Sequence, residues 1–156
     1  MRQTPGKGSG SFAIEKIIKG EDVASFGGFV IEQEELKNYS SDRVGRSLQL
    51  DEATYLLSGP LPEAGDMINH SCAPNCGAFG TSSVIAMTDI EIGKELTFDY
   101  AMTDSSQYDE FKCFCGKENC REKITGKDWQ DPILQSKYNN YFSFFITKLI
   151  KLSHSK

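Results

Sequence analysis

No run of 18 apolar residues interrupts this 156-residue sequence, and its N-terminus lacks the apolar core of a signal peptide. Those absences argue against a membrane partner and predict an intracellular protein, nuclear in a eukaryote or cytoplasmic in a bacterium. Positive charge is not in excess either. Seventeen Lys and Arg against 22 Asp and Glu leave a net charge of −5, which argues against direct nucleic-acid binding and suits a basic partner such as a lysine-rich peptide. Only two histidines occur, and His154 lies near a terminus, so chemistry built on a histidine base finds little support. No repeat or low-complexity tract divides the chain. Its length, with 38% hydrophobic and 25% charged residues, fits one soluble globular domain.

Five cysteines without a secretory signal read as metal ligands or free thiols before they read as disulfides. Three of them, Cys113, Cys115 and Cys120, form a tight cluster, C-F-C-G-K-E-N-C. A tetrahedral site needs one more, and Cys72 or Cys76 can supply it with one left over. Both lie in residues 69–76, N-H-S-C-A-P-N-C, a run of small polar residues broken by Pro74. That composition predicts an ordered turn, neither helix nor strand, whose Asn69, His70, Ser71 and Asn75 can bond loop amides or a polar ligand. Between the two cysteine groups lies Glu95-Leu96-Thr97-Phe98-Asp99-Tyr100, a short alternating strand ending in a tyrosine.

The remainder reads as many short strands joined by punctuated turns, a mostly β domain. Gly8-Ser9-Gly10 reads as a turn, and no helix follows to make it a dinucleotide fingerprint. Residues 23–31 read as one strand with a bend at Gly27-Gly28, residues 32–39 as a short helix and residues 47–50 as a strand. Residues 84–87 and 95–100, flanking a turn at 91–94, read as a strand pair. Residues 101–112 read as a polar surface loop. Asp131-Pro132 is a helix start signal, after which Tyr138, Tyr141, Phe142, Phe145, Leu149 and Leu152 recur at helical spacing around a break at Asn139-Asn140. One or two helices docking an aromatic face on the domain is the simple expectation; a partner or membrane-surface helix is the alternative.

Taken in order, NHSCxPN, ELTFDY and CxCxxxxC resemble the SET domain of protein-lysine methyltransferases with its cysteine-rich post-SET tail, over roughly residues 6–124. The resemblance implies a mostly β fold of β-clip type with a pseudoknot, plus C-terminal helices here. It implies a SET domain at 1–112, a post-SET zinc-binding segment at 113–130 and a helical extension at 131–156. It further implies transfer of methyl from S-adenosylmethionine to the ε-amine of a lysine in a protein substrate, a histone tail among the candidates. Tyr100 would be the catalytic tyrosine. Gly8, Ser9, Gly10, Asn69 and His70, with Tyr100, would contact the donor. Phe98 would adjust room around the acceptor, a Phe there resembling the version that permits more than one methylation. A second active-site tyrosine would be Tyr55 or Tyr39, with Tyr55 placed in the substrate pocket. Zinc would be held by Cys72, Cys113, Cys115 and Cys120, leaving Cys76 spare.

A lysine amine begins near pKa 10.4, so having it neutral at pH 7 costs roughly 4–5 kcal/mol, and burial in a narrow apolar channel supplies most of that. Two departures from the family pattern stand out. Asp66-Met67-Ile68 replaces the common Arg-Phe-Ile before NHSC, and Glu122, Lys123 and Ile124 follow the last cysteine where a glycine and an aromatic are common. They motivate a rival reading, a catalytically idle, zinc-stabilised SET fold that binds a peptide or protein. A thiol redox pair at Cys113 and Cys115 is the third.

Overall fold

The computed structural model describes residues 1–107 and 110–155. Among the described residues, twelve short strands and three α-helices follow in the order β1 (Arg2–Thr4), β2 (Gly8–Gly10), β3 (Asp22–Ser25), β4 (Phe29–Glu32), α1 (Ser41–Val44), β5 (Leu48–Asp51), β6 (Thr54–Leu57), β7 (Asn69–His70), β8 (Cys76–Phe79), β9 (Ser83–Ala86), β10 (Thr97–Phe98), β11 (Phe111–Lys112), β12 (Lys123–Ile124), α2 (Pro132–Lys137) and α3 (Phe144–Ser153). Two three-stranded antiparallel sheets, β3-β9-β8 and β4-β6-β5, form the body. Three two-stranded pairs surround them: β1 with β2, β11 with β12, and the parallel pair of β7 and β10.

That parallel pair positions the site. Asn69 stands opposite Thr97 and His70 opposite Phe98, and Ser71 N–H donates to the Phe98 carbonyl. Asn75 completes the join, its Nδ2 donating to the Glu95 carbonyl and its Oδ1 accepting from Thr97 N–H, both at 2.9 Å. The central run is therefore strand for two residues before it turns, because the neighbouring segment offers its backbone groups partners. The expected pairing of residues 84–87 with 95–100 does not occur; β9 pairs with β8 and β3 instead.

Other local differences have backbone causes. Gly8–Gly10 is a strand, the turn lying just before it, and residues 23–31 divide into β3 and β4 in separate sheets. At the division Gly28 has φ of +151° and a side chain there would collide with the Leu57 backbone. The expected short helix after β4 is a 3-10 helix over Gln33–Asn38. Within the stretch expected to be a surface loop, Tyr100–Met102 is a 3-10 turn, Ala101, Met102, Thr103 and Ser106 are buried, and β11 begins at Phe111. Tyr108 and Asp109 lie outside the described residues.

Asp131 accepts from Ile133 N–H at 2.8 Å and Pro132 starts α2, so the helix begins where the capping signal placed it. The chain breaks after Lys137 and resumes at Phe144 under a Ser143 cap. Trp129, Leu134, Tyr138, Phe142, Phe145 and Ile146 then share one buried cluster with Ala78, Ala101 and Met102. The aromatic face of the extension is thus spent on the core of the domain, while Leu152 at its end is exposed. No described helix is long and apolar enough to cross a membrane.

Candidate active site and cysteine cluster

Tyr100 follows β10 at the start of a turn that Asp99 caps by accepting from Ala101 N–H. Its hydroxyl donates to the Ile68 carbonyl at 3.3 Å, and its ring packs against Phe98, with centroids 4.9 Å apart. This side chain lines two cavities. One is walled by Phe26, Ser47, Leu48, Asp66 and Phe98 with Tyr100. The other is walled by Lys7, Asn69, His70, Phe111 and Phe114 with Tyr100.

The second cavity is aromatic at its base. His70, Tyr100 and Phe111 meet edge to face, with centroids 5.4 to 5.8 Å apart. Such a group of rings offers stacking surface and attracts a cation. Burial lowers the His70 pKa to about 4 although Asp99 opposes it, so the ring is neutral. Its Nδ1 accepts from Tyr100 N–H at 3.3 Å, which leaves Nε2 to face Cys72 Sγ at 3.4 Å. At the rim, Asn69 Nδ2 donates to the Ser9 carbonyl and to Glu95, and Lys7 holds Glu95 at 2.8 Å. A side chain on Gly10 would come 2.6 Å from Thr4 Oγ1 and 2.8 Å from Asn69 Nδ2. Gly10 thus makes room for this network, while Gly6 and Lys7 form the cavity wall.

The first cavity is not the apolar channel expected. Phe26, Phe98 and Tyr100 face Arg46, Asp66 and Asp104, the last with its pKa raised by burial. Arg46 Nη1 lies 3.3 Å from Asp66 and 2.7 Å from Ser58 Oγ, so the chain supplies a cation from the end of α1 where the sequence carries Asp66 in place of an arginine. Tyr55 and Tyr39 do not reach this cavity. Tyr55 is 1% exposed in a cluster with Ile31, Leu36 and Leu57, and Tyr39 packs beside that cluster under Arg43. Ser47 stands on the wall instead.

Four cysteines converge behind His70. The sulfurs of Cys72, Cys113, Cys115 and Cys120 all lie within 4.8 Å of one another, with Cys72 and Cys113 3.9 Å apart. Four thiolates about 2.3 Å from a tetrahedral zinc stand roughly 3.8 Å apart, so the donor set fits. Backbone N–H of Arg121 and Glu122 point at Cys72 and Cys120 sulfur, each at 3.4 Å, as N–H groups do toward anionic sulfur. Burial raises Cys72 to about 11, which argues against four thiolates sharing this space without a cation. Cys76 is buried elsewhere, in the β8 core.

The tail's departures also find a place. Glu122 has φ of +64°, a left-handed conformation that glycine adopts without cost, and Ile124 is buried against Cys72 and Cys113. Glu122→Gly is expected to raise the unfolding free energy by about 1 kcal/mol, measured by denaturant titration with metal bound.

The SET domain family matches residues 8–101. Over 125 residues the chain is 34% identical to a histone-lysine N-methyltransferase, H3 lysine-4 specific, of Schizosaccharomyces pombe, covering 72% of this chain and 13% of that protein. Over 142 residues it is 31% identical to a histone-lysine N-methyltransferase, H3 lysine-36 specific, of Mycosarcoma maydis, covering 83% and 14%. A crystal structure of KRYPTONITE in complex with mCHG DNA and SAH superposes with TM-score 0.61 at 23% identity, covering 78% of this chain and 27% of that one, a likeness of fold. The chain belongs to the SET domain family. It spans about an eighth of the length of those two curated relatives.

Proposed function

We propose that this chain transfers a methyl group from S-adenosylmethionine to a lysine ε-amine of a protein substrate, a histone tail being the first candidate. The observation that carries this is the placement of Tyr100 between two cavities. The donor supplies an electrophilic methyl on a sulfonium. Asn69, His70 and Phe111 line the side that would take it, with Gly10 leaving Asn69 its room. Family relatives named histone-lysine methyltransferases, and a fold neighbour solved with SAH, support the donor and substrate class.

The acceptor would enter between Phe26 and Phe98. Displacement at a methyl group must be in line, so the two ligands have to approach from opposite sides of the reacting centre. Tyr100 then orients the amine, and partial burial against Phe26 and Phe98 favours its neutral form against the opposing pull of Asp66 and Asp104 on the same wall. Phe98 is 5% exposed and brings no hydroxyl to this wall, which leaves room for successive methylations. Four cysteine sulfurs would hold zinc and so anchor β11, whose Phe111 closes the donor side. Incubating the full chain with donor and mixed core histones, then mapping lysines by mass spectrometry, tests the proposal. Methylated lysines that depend on the chain are the expected result; donor binding without any methylated lysine would favour the idle binding module.

A further inference from the structure

Asp99 has no exposed surface, and the cation that balances it comes from the cysteine tail. Arg121 grips it with two nitrogens, at 2.6 and 2.8 Å. The Tyr138 hydroxyl, also fully buried, donates to it at 3.1 Å from the start of the C-terminal extension. Asp99 also caps the turn that carries Tyr100, the oxygen that Arg121 Nη2 grips accepting from Ala101 N–H at 3.1 Å. The same tail and extension also close on the Cys72 carbonyl, which accepts from Asn119 Nδ2 and Lys137 Nζ, each at 2.9 Å.

We propose that Tyr138 and Arg121 are positioning residues: acting through Asp99, they fix the Tyr100–Met102 turn and so set how the active-site tyrosine is presented. The inference rests on the methyl-transfer reading for its effect on turnover. The extension therefore reaches this turn in two ways, by packing against Ala101 and Met102 and through Asp99. Phe142, Phe145 and Ile146 bury apolar surface, whereas the Tyr138 hydroxyl reaches past that cluster to a buried carboxylate. Tyr138→Phe keeps the ring and removes the hydroxyl, with its bond to Asp99 and its longer 3.4 Å contact to the Cys72 carbonyl. Arg121→Lys keeps the charge and removes the two-pronged grip.

The test uses the full metal-bound chain and compares wild type, both variants, and Leu36→Val as a packing control away from the turn. Each positioning variant is expected to lower kcat about tenfold with KM for the peptide changed less than about twofold, because the turn and not substrate binding is loosened. Metal content should remain that of wild type. Backbone amide exchange at 101–104 should quicken by about tenfold in both variants while β4 and β6 keep their protection. Leu36→Val, in the separate cluster of Ile31, Tyr55 and Leu57, should lower Tm and leave kcat below Tm as in wild type. If kcat and exchange in Tyr138→Phe and Arg121→Lys both match wild type, the inference is overturned. A wild type that methylates no lysine overturns the functional reading; the exchange comparison needs no turnover and then decides the coupling alone, upheld by faster exchange and overturned by none.

Discussion

Tyr100→Phe is expected to lower kcat by roughly 10²–10³-fold, about 3–4 kcal/mol of lost transition-state stabilisation, while donor affinity and metal content stay near wild type. The ring of Tyr100 packs against Phe98, His70 and Phe111, and a phenylalanine keeps all three contacts. What disappears is the hydroxyl, held by the Ile68 carbonyl on a side chain that lines both cavities. An effect confined to kcat marks an interaction that matters only as the methyl moves. Single-turnover assays with saturating donor separate this from slower binding. Unchanged kcat would remove the phenol from the chemistry.

Metal removal should act more broadly. A structural zinc site contributes on the order of 10 kcal/mol, and it would act together with Arg121 on Asp99, Asn119 on the Cys72 carbonyl and the buried Ile124 in holding the segment from Phe111 to Ile124. Chelation should release that segment and with it Phe111, opening the donor cavity and weakening donor binding by about a hundredfold or more. The sole tryptophan, Trp129, reports the event, since its neighbour Asp128 is bonded to Arg121 at 3.0 Å. The expected result is one zinc per chain, a shift of Trp129 emission on chelation, and recovery of both emission and donor binding when zinc returns. Full donor binding by the metal-free chain would separate the cysteine site from the active site.

The parts of this site that were legible in sequence are those where chemistry fixes residue type at short spacing. Cys113, Cys115 and Cys120 had to be near one another, and the resemblance named Cys72 as the fourth; the sulfurs do converge. Asn69, His70 and Tyr100 are singled out by the family resemblance and stand on one cavity wall. Residues brought in by long-range pairing were not legible. Phe111 lay in a stretch that read as polar loop, and only the β11–β12 pair beside the cysteines brings its ring to His70. Arg46 is twenty residues from Asp66 and nothing in their spacing announces the pair. The parallel contact of β7 and β10 is not legible, since residues 69–76 read as a turn and a local rule favours the nearer hairpin partner, which β9 declines in favour of β8 and β3. Tyr55, chosen for residue type upstream of the central turn, was claimed by the core instead.

The central claim is that donor and lysine reach Tyr100 from opposite cavities. A crystal structure of the zinc-loaded chain with S-adenosylhomocysteine and a lysine-bearing histone peptide tests it most directly. The expected result has the homocysteine sulfur on the Asn69, His70 and Phe111 side, the lysine nitrogen on the Phe26 and Phe98 side, and the Tyr100 hydroxyl between them. Both ligands on one side of Tyr100, or a lysine bound away from the Phe26 and Phe98 wall, would contradict it.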